Sequence, residues 1–196
     1  MESSVAGPRD IDSVTACITD AFASDPIWSV ALAQIDVEAF WRILVEGAMR
    51  FGGVRQWDSG AAVSVWIPPN ESDLTPELEE RSEALLASSL DAEGTTAINE
   101  LFQRFVTSRS STPEPHAYLA LLATHREYRG QGLGQKLLAA DLHEWDALGI
   151  PTYLESSNPA NDHRYVRAGF TPIGELDAVL NNARVTAMWR PVARPD

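Results

Sequence analysis

The chain has 196 residues, 44% of them apolar and six of them tryptophan, enough to bury a substantial core at the size of a single domain spanning 1–196. Fifteen basic against 28 acidic residues leave a net charge of −13, which argues against nucleic acid or an anionic membrane as partner and favours a cationic or amine-bearing one. Cys17 is the sole cysteine, which excludes an internal disulfide and metal sites built on paired cysteines; no run is apolar enough to span a membrane, and "MESSVAGPRD" lacks a signal pattern, so a cytoplasmic location is expected.

Helical apolar spacing predicts helices over Ile11 to Phe22, with Asp10 or Asp12 as cap, and over Val37 to Phe51. Val54 to Trp57 and Ala61 to Ile67 flank "DSG" and read as a hairpin, closed by Pro68 and Pro69. Thr75 before Pro76 opens another helix, which Gly94 is expected to end, and a further helix follows over Thr95 to Val106. "TSRSSTPEP", Thr107 to Pro115, reads as a loop. The apolar run Ala117 to Thr124 predicts a strand buried on both faces. From Leu133, the residues Leu137, Leu138, Leu142, Trp145 and Leu148 share one broad side of a helix ending at Gly149, with Asp141 a misfit inside that side. "PTYLES" is a second strand, "NPANDHRYVRAG" a polar loop and short helix, and "FTPIGE" and "RVTAMWR" are closing strands. The chain is therefore of α/β (α+β) type.

Between the strand and the helix lies "YRGQGLGQKLL", with Gly130, Gly132 and Gly134 at alternate positions. Bare glycines ahead of a helix N-terminus suit an anion that must approach the backbone closely. A Walker loop needs glycine before Lys136 and a hydroxyl residue after it, where Gln135 and Leu137 stand; the dinucleotide pattern G-x-G-x-x-G lacks its last gap. Arg129, Gly132 and Gly134 instead match a pyrophosphate loop of the form Q/R-x-x-G-x-G/A.

Together, "LATHREYRGQGLGQKLL" and "LESSNPANDHRYVRAGF" resemble the GCN5-related N-acetyltransferases (GNAT) from about His116 to Pro172. Within that superfamily the likeness is to the puromycin N-acetyltransferase type, through the His-x-aromatic-Leu-Ala strand entry, the Leu-Glu-x-Ser strand end, "AFASDP" and "AAVSVWIPP". The resemblance implies a central mixed, mostly antiparallel sheet flanked by helices, with the strand before the glycine loop splayed, and acetyl-CoA as acyl donor. It also implies that main-chain groups of Leu122, Ala123 and Thr124 bind the pantetheine arm. The backbone of Arg129, Gly130, Gln131, Gly132, Leu133 and Gly134 would cradle the pyrophosphate, with charge from Arg126, Arg129 and Lys136. Asn158 and Asn161 would contact the cofactor arm, and Tyr165 would protonate the leaving thiolate. Glu155 is the first candidate base and His116 the second; an amide near Ala123 or Thr124 is the oxyanion donor.

Each assignment has a structural rival. Tyr165 can be packing, Glu155 can pair with Arg164 or Arg167, His116 can be a satisfied strand-end histidine, and Arg126 and Lys136 can be solvated charges. Cys17 reads as inert core, and Asp162 with His163 are too few ligands for a metal. Thr124 departs from the family's small apolar β-branched residue, and the acceptor segments are placed at Asp25 to Trp28 and Asp177 to Arg184. The function implied is acetylation of a small-molecule amine by an enzyme that is a monomer or homodimer. The alternatives are a non-catalytic acyl-CoA-binding module and a protein N-acetyltransferase.

Overall fold

The apolar spacing of the first half becomes α1 (Ile11–Phe22), α2 (Trp28–Ala31) and α3 (Val37–Met49), in a computed structural model that describes residues 3–112, 115–181 and 183–193. Asp36 starts α3 by accepting from the Ala39 amide at 3.0 Å. Thr75 does the same for α4 (Pro76–Ser89) through Leu78, and Asp91 for α5 (Ala92–Ser110) through Gly94 at 2.8 Å. Each cap satisfies a donor that the first helical turn leaves unpaired. Gly94 therefore lies in the first turn of a helix instead of ending one. α5 also runs on to Ser110, through the first four residues of the loop expected from Thr107, and Ile98 and Leu101 anchor it in the core; residues 113 and 114 of that loop lie outside the described ones.

Among the described residues seven strands form one sheet: β1 (Ser3–Val5), β2 (Val54–Trp57), β3 (Ala62–Ile67), β4 (Ala117–Thr124), β5 (Thr152–Ser156), β6 (Thr171–Asp177) and β7 (Arg184–Arg190), in the order β1-β2-β3-β4-β5-β7-β6. Every pairing is antiparallel except β4 with β5. This is the mixed, mostly antiparallel sheet expected. β1 was not: three half-polar residues on an edge carry no strand signal of their own. Helix α6 (Leu133–Ala147) and the short α7 (Asp162–Arg167) follow the glycine loop and β5.

The sheet is sandwiched. Val14, Ile18, Trp41 and Val45 of α1 and α3 pack on Val63, Val65 and Leu121 on one face. On the other, Leu138 and Leu142 of α6 pack on Trp66, Leu119, Leu154 and Met188. Leu148, expected on that side, caps α6 and is 66% exposed. The misfit Asp141 is explained by a non-local partner. Fully buried, it accepts from Ser64 Oγ at 2.6 Å and Trp66 Nε1 at 2.9 Å and pairs with Arg55 Nε at 3.0 Å.

β4 is not evenly buried on both faces. Its residues alternate between buried and half-buried, and a bulge interrupts them: Val65 faces Leu121 while Trp66 faces Leu119, which leaves Ala120 as the extra residue. A bulge reverses the alternation beyond it. Hence Ala117 and Leu119 pack with α6, whereas Leu121 and Ala123, of the same parity, pack with α1 and α3. Both parities thus meet apolar surroundings, so the run is apolar throughout. Pairing of β4 with β5 stops at the same point, with Leu119 opposite Leu154. From Ala120 to Thr124 the β5-facing edge has no strand partner, which is the splay expected of this strand.

Candidate active site

The splay opens a cleft of about 1110 Å³, bounded by the glycine loop and α7 at one end and by α2, α3, α4 and α5 at the other. In the loop, Gly130 and Gly132 sit at φ of +80° and +74°, the left-handed region that disfavours a side chain, and nothing lies within 4 Å of where a Cβ would stand. Gly134 is required for a different reason: its Cβ would lie 2.6 Å from Thr124 Oγ1. Thr124, the residue that departs from the family pattern, thus fixes how close α6 comes to β4. Gly132 is the N-cap of α6 and offers no side-chain acceptor, and the first intrahelical bond among the described residues runs from Lys136 N to Gly132 O at 3.0 Å. The amides of Leu133, Gly134 and Gln135 therefore point into the cleft mouth unpaired, an anion-accepting array.

The loop's positive charge is smaller than the sequence suggests. Arg126 is bound to the Asp20 carboxylate through its side chain and, at 2.7 Å, through its backbone amide, which also draws the Asp20 carboxyl below its usual range against the opposing effect of burial. Arg129 reaches back to the carbonyls of Thr124 and Ala21 at 3.5 and 3.3 Å. Lys136 is solvent-exposed on α6. Anion attraction here draws on the backbone amides together with Arg129 and Lys136, whose charges no carboxylate offsets among the described residues.

Leu122 and Thr124 line the cleft beside the loop, with Ala123 between them on the open edge, whose amides and carbonyls alternate in direction. Asn158 and Asn161 line the opposite wall; Asn158 Oδ1 accepts from the Ala160 amide at 3.1 Å, fixing the turn into α7. Tyr165 projects from α7 against Phe170, ring to ring at 6.1 Å. Its hydroxyl has no partner among the described residues, and burial pushes its pKa up to about 12, with the Asp162 and Asp25 carboxylates adding to the shift. It lies in the cleft as a protonated phenol, next to the open strand edge.

Glu155, at the end of β5 where pairing with β4 has ceased, is a half-buried carboxylate in the wall of the cleft. Burial raises its pKa to about 7, although the phenols of Tyr153 and Tyr118 and the Arg109 guanidinium favour its charged form. Neither phenol is aligned for a full hydrogen bond, and both carboxylate oxygens are closed off from bulk water without a donor. Pairing with Arg164 or Arg167, the rival reading, does not occur. Arg109 binds Asp73 at 2.9 and 3.1 Å and lies 4.4 Å over the Tyr118 ring; Tyr153 meets Ser108 Oγ at 2.7 Å. None of Arg109, Asp73, Tyr118 or Tyr153 was singled out in the sequence, where nothing local marks them. His116 is not in this cleft: it bonds Thr112 Oγ1 at 3.0 Å and packs on Tyr153 and Trp189, facing a separate hollow of about 480 Å³.

The two expected acceptor segments fare differently. Asp25, buried, accepts from the Ile27 and Trp28 amides at 2.9 and 3.1 Å and from Ser157 Oγ at 2.7 Å, which ties the α1–α2 corner to the end of β5. Trp28 lines the cleft. The described part of Asp177 to Arg184 does not, residue 182 lying outside the described ones: it packs behind α2, where Asn181 donates to Pro26 O at 2.8 Å. Its place is taken by α4 and α5, through residues such as Glu79, Glu83, Phe102 and Phe105. Among the described residues no three His, Cys, Asp or Glu side chains come together, and no helix is long and apolar enough to cross a membrane.

Residues 90–172 match the model of the acetyltransferase (GNAT) domain. An uncharacterised N-acetyltransferase of Schizosaccharomyces pombe is 24% identical over 193 residues, covering 90% of this chain and 77% of that protein. Among solved structures, a histone acetyltransferase HPA2 and related acetyltransferase from Corynebacterium glutamicum is similar at TM-score 0.65 and 24% identity, covering 98% of this chain and 97% of that one. Arylalkylamine N-acetyltransferase 2 from Aedes aegypti is similar at TM-score 0.72 and 11% identity, covering 98% and 99%; the Escherichia coli ribosomal-protein-S18-alanine N-acetyltransferase is similar at 0.55 and 14%, covering 100% and 96%. The unpaired strand edge and the bare loop before α6 agree with these matches, and residues 90–172 of the chain are similar to the acetyltransferase (GNAT) domain.

Proposed function

We propose that residues 1–196 act as one domain, with a cofactor-binding core at about 116–172, that transfers the acetyl group of acetyl-CoA directly to the amine of a small molecule. The observation that carries this reading is the continuity of the cleft, in which an anion-accepting loop, an open strand edge, a protonated phenol and a buried carboxylate follow one another. The amides of Gly130 to Gly134 and Arg129 fit a pyrophosphate, since both left-handed glycines leave the approach clear. The edge at Leu122 to Thr124 fits the amide-bearing arm as an added strand partner, with Asn158 and Asn161 opposite.

Glu155 removes a proton from the acceptor ammonium, and the freed amine attacks the thioester carbonyl. A main-chain amide near Ala123 or Thr124 stabilises the oxyanion; as the C–S bond breaks Tyr165 gives its proton to the leaving sulfur, and the second proton shed by the nitrogen restores the phenol while Glu155 releases its proton to solvent. A carboxylate titrating near 7 suits the first step at neutral pH, and an undissociated phenol suits the last. The likeness to puromycin-type enzymes and the arylalkylamine neighbours favours a small acceptor over a protein. The test is a broad amine screen for acetyl-CoA-dependent thiol release, with mass spectrometry of the product. Binding of acetyl-CoA but not NAD or ATP by calorimetry is expected alongside. NAD binding tighter than acetyl-CoA, or acetylation confined to peptide amines, would overturn the reading.

A further inference from the structure

The end of the cleft away from the glycine loop is walled by aromatic rings that the core does not fully cover. Trp28, Phe102 and Phe105 are only half-buried, although each packs on its neighbours: Trp28 lies 6.3 Å from Phe102 and 6.0 Å from Phe105, and Phe102 stacks on the buried Phe40 at 6.2 Å and 7°. Large aromatic faces left open in a concave site are surface that a ligand covers. This wall is held at a set position relative to the carboxylate. Asp25 grips the Trp28 amide with one oxygen and Ser157 with the other, and Ser157 is two residues past Glu155 on the same strand end.

The charge on that side has one sign. Asp25, Asp73, Glu79, Glu83 and Glu155 line it, and Arg109, the cation among them, is already bound to Asp73 and covered by the Tyr118 ring. Arg129 and Arg164, the other lining cations, belong to the glycine loop and α7. A carboxylate or phosphate carried by the acceptor would therefore sit among carboxylates with no free guanidinium to pair it.

From this juxtaposition we infer that the acceptor is a primary amine on a short chain that carries an aromatic ring and no acidic group, with the ring against Trp28 and Phe102 and the nitrogen toward Glu155. The inference rests on the small-molecule amine reading and narrows it to a substrate class.

The test compares kcat/KM for 2-phenylethylamine and tryptamine with n-hexylamine, spermidine, phenylalanine and tryptophan, under saturating acetyl-CoA. The aryl amines are expected to exceed n-hexylamine by about ten-fold or more through ring stacking. They should exceed their carboxylated counterparts by about a hundred-fold, the cost of placing like charges together. Phe102→Leu should raise KM for 2-phenylethylamine and shrink its advantage over n-hexylamine, with KM for acetyl-CoA unchanged; Phe105→Leu serves if the first variant does not fold. Turnover that favours n-hexylamine or spermidine, or that accepts phenylalanine as readily as 2-phenylethylamine, overturns this inference and leaves the amine acetyltransferase reading standing. Acetylation of no amine at all removes that reading and this inference with it.

Discussion

The proposed role of Glu155 carries the most exacting consequence of the site, because the same burial that would suit it to act as a base at neutral pH also costs the fold. Moving its pKa from 4.5 to about 7 corresponds to about 3 kcal/mol at about 1.4 kcal/mol per unit. The folded-state value is the raised one. Its contribution to stability is therefore fully present below pH 4.5 and is lost as the pH rises from there through 7, where the buried carboxylate becomes charged. Glu155→Gln should accordingly raise Tm at pH 8, by up to roughly 6–12 °C for a chain of this size, and leave it nearly unchanged at pH 4. Activity should move the other way. Wild-type kcat/KM should climb ten-fold per pH unit below 7 and level off above it, as for a single essential base; Glu155→Gln should lose this limb and about 10² to 10⁴ in rate. Tyr153→Phe, which removes a phenol favouring the charged carboxylate, should displace the limb upward in pH. The assays are thermal melts at the two pH values and thiol-release kinetics from pH 5.5 to 9. A Glu155→Gln enzyme that keeps the wild-type pH limb, or that is destabilised at pH 8, would refute both halves of the reasoning.

Tyr165→Phe should lower kcat by about 10²-fold or more with little change in acetyl-CoA affinity, as for loss of one positioned acid; unchanged turnover under conditions where chemistry is limiting would make Tyr165 a packing residue. Gly134→Val should abolish acetyl-CoA binding in calorimetry, because its Cβ meets Thr124 Oγ1 at 2.6 Å, and Thr124→Ala in the same chain should restore part of it; no rescue would place the obstruction elsewhere. Asp141→Ala, which leaves the buried Ser64 hydroxyl and Trp66 indole N–H without their acceptor while Arg55 keeps Glu144, should cost about 1–3 kcal/mol in urea unfolding, and a loss under about 0.5 kcal/mol would show that this buried cluster contributes little.

Much of the framework was legible in the sequence because its signals are local. Capping residues act on amides three positions away, helical spacing needs one turn or two, and a glycine's tolerance of positive φ is its own property, so α1, α3, α4, the β2–β3 hairpin and the glycine loop before α6 could be read directly. Tyr165 and Glu155 were named from their place in the family's motifs, and both line the cleft. Where local signals misled, a contact distant in sequence prevailed: core anchoring by Ile98 and Leu101 carried α5 past Thr107, and Asp20, 106 residues away, took the side chain of Arg126. The bulge at Ala120 depends on the register of β4 against β3, which no window within β4 encodes. For the same reason only the tertiary structure decided that Asp141 meets Arg55, that Tyr118, Tyr153 and Arg109 surround Glu155, and that α4 and α5 wall the end of the cleft away from the glycine loop. Backbone preference is set by neighbours along the chain; which side chain satisfies a buried charge is set by how strands register and helices pack, and in this protein the lining of the cleft is built from the second kind of fact.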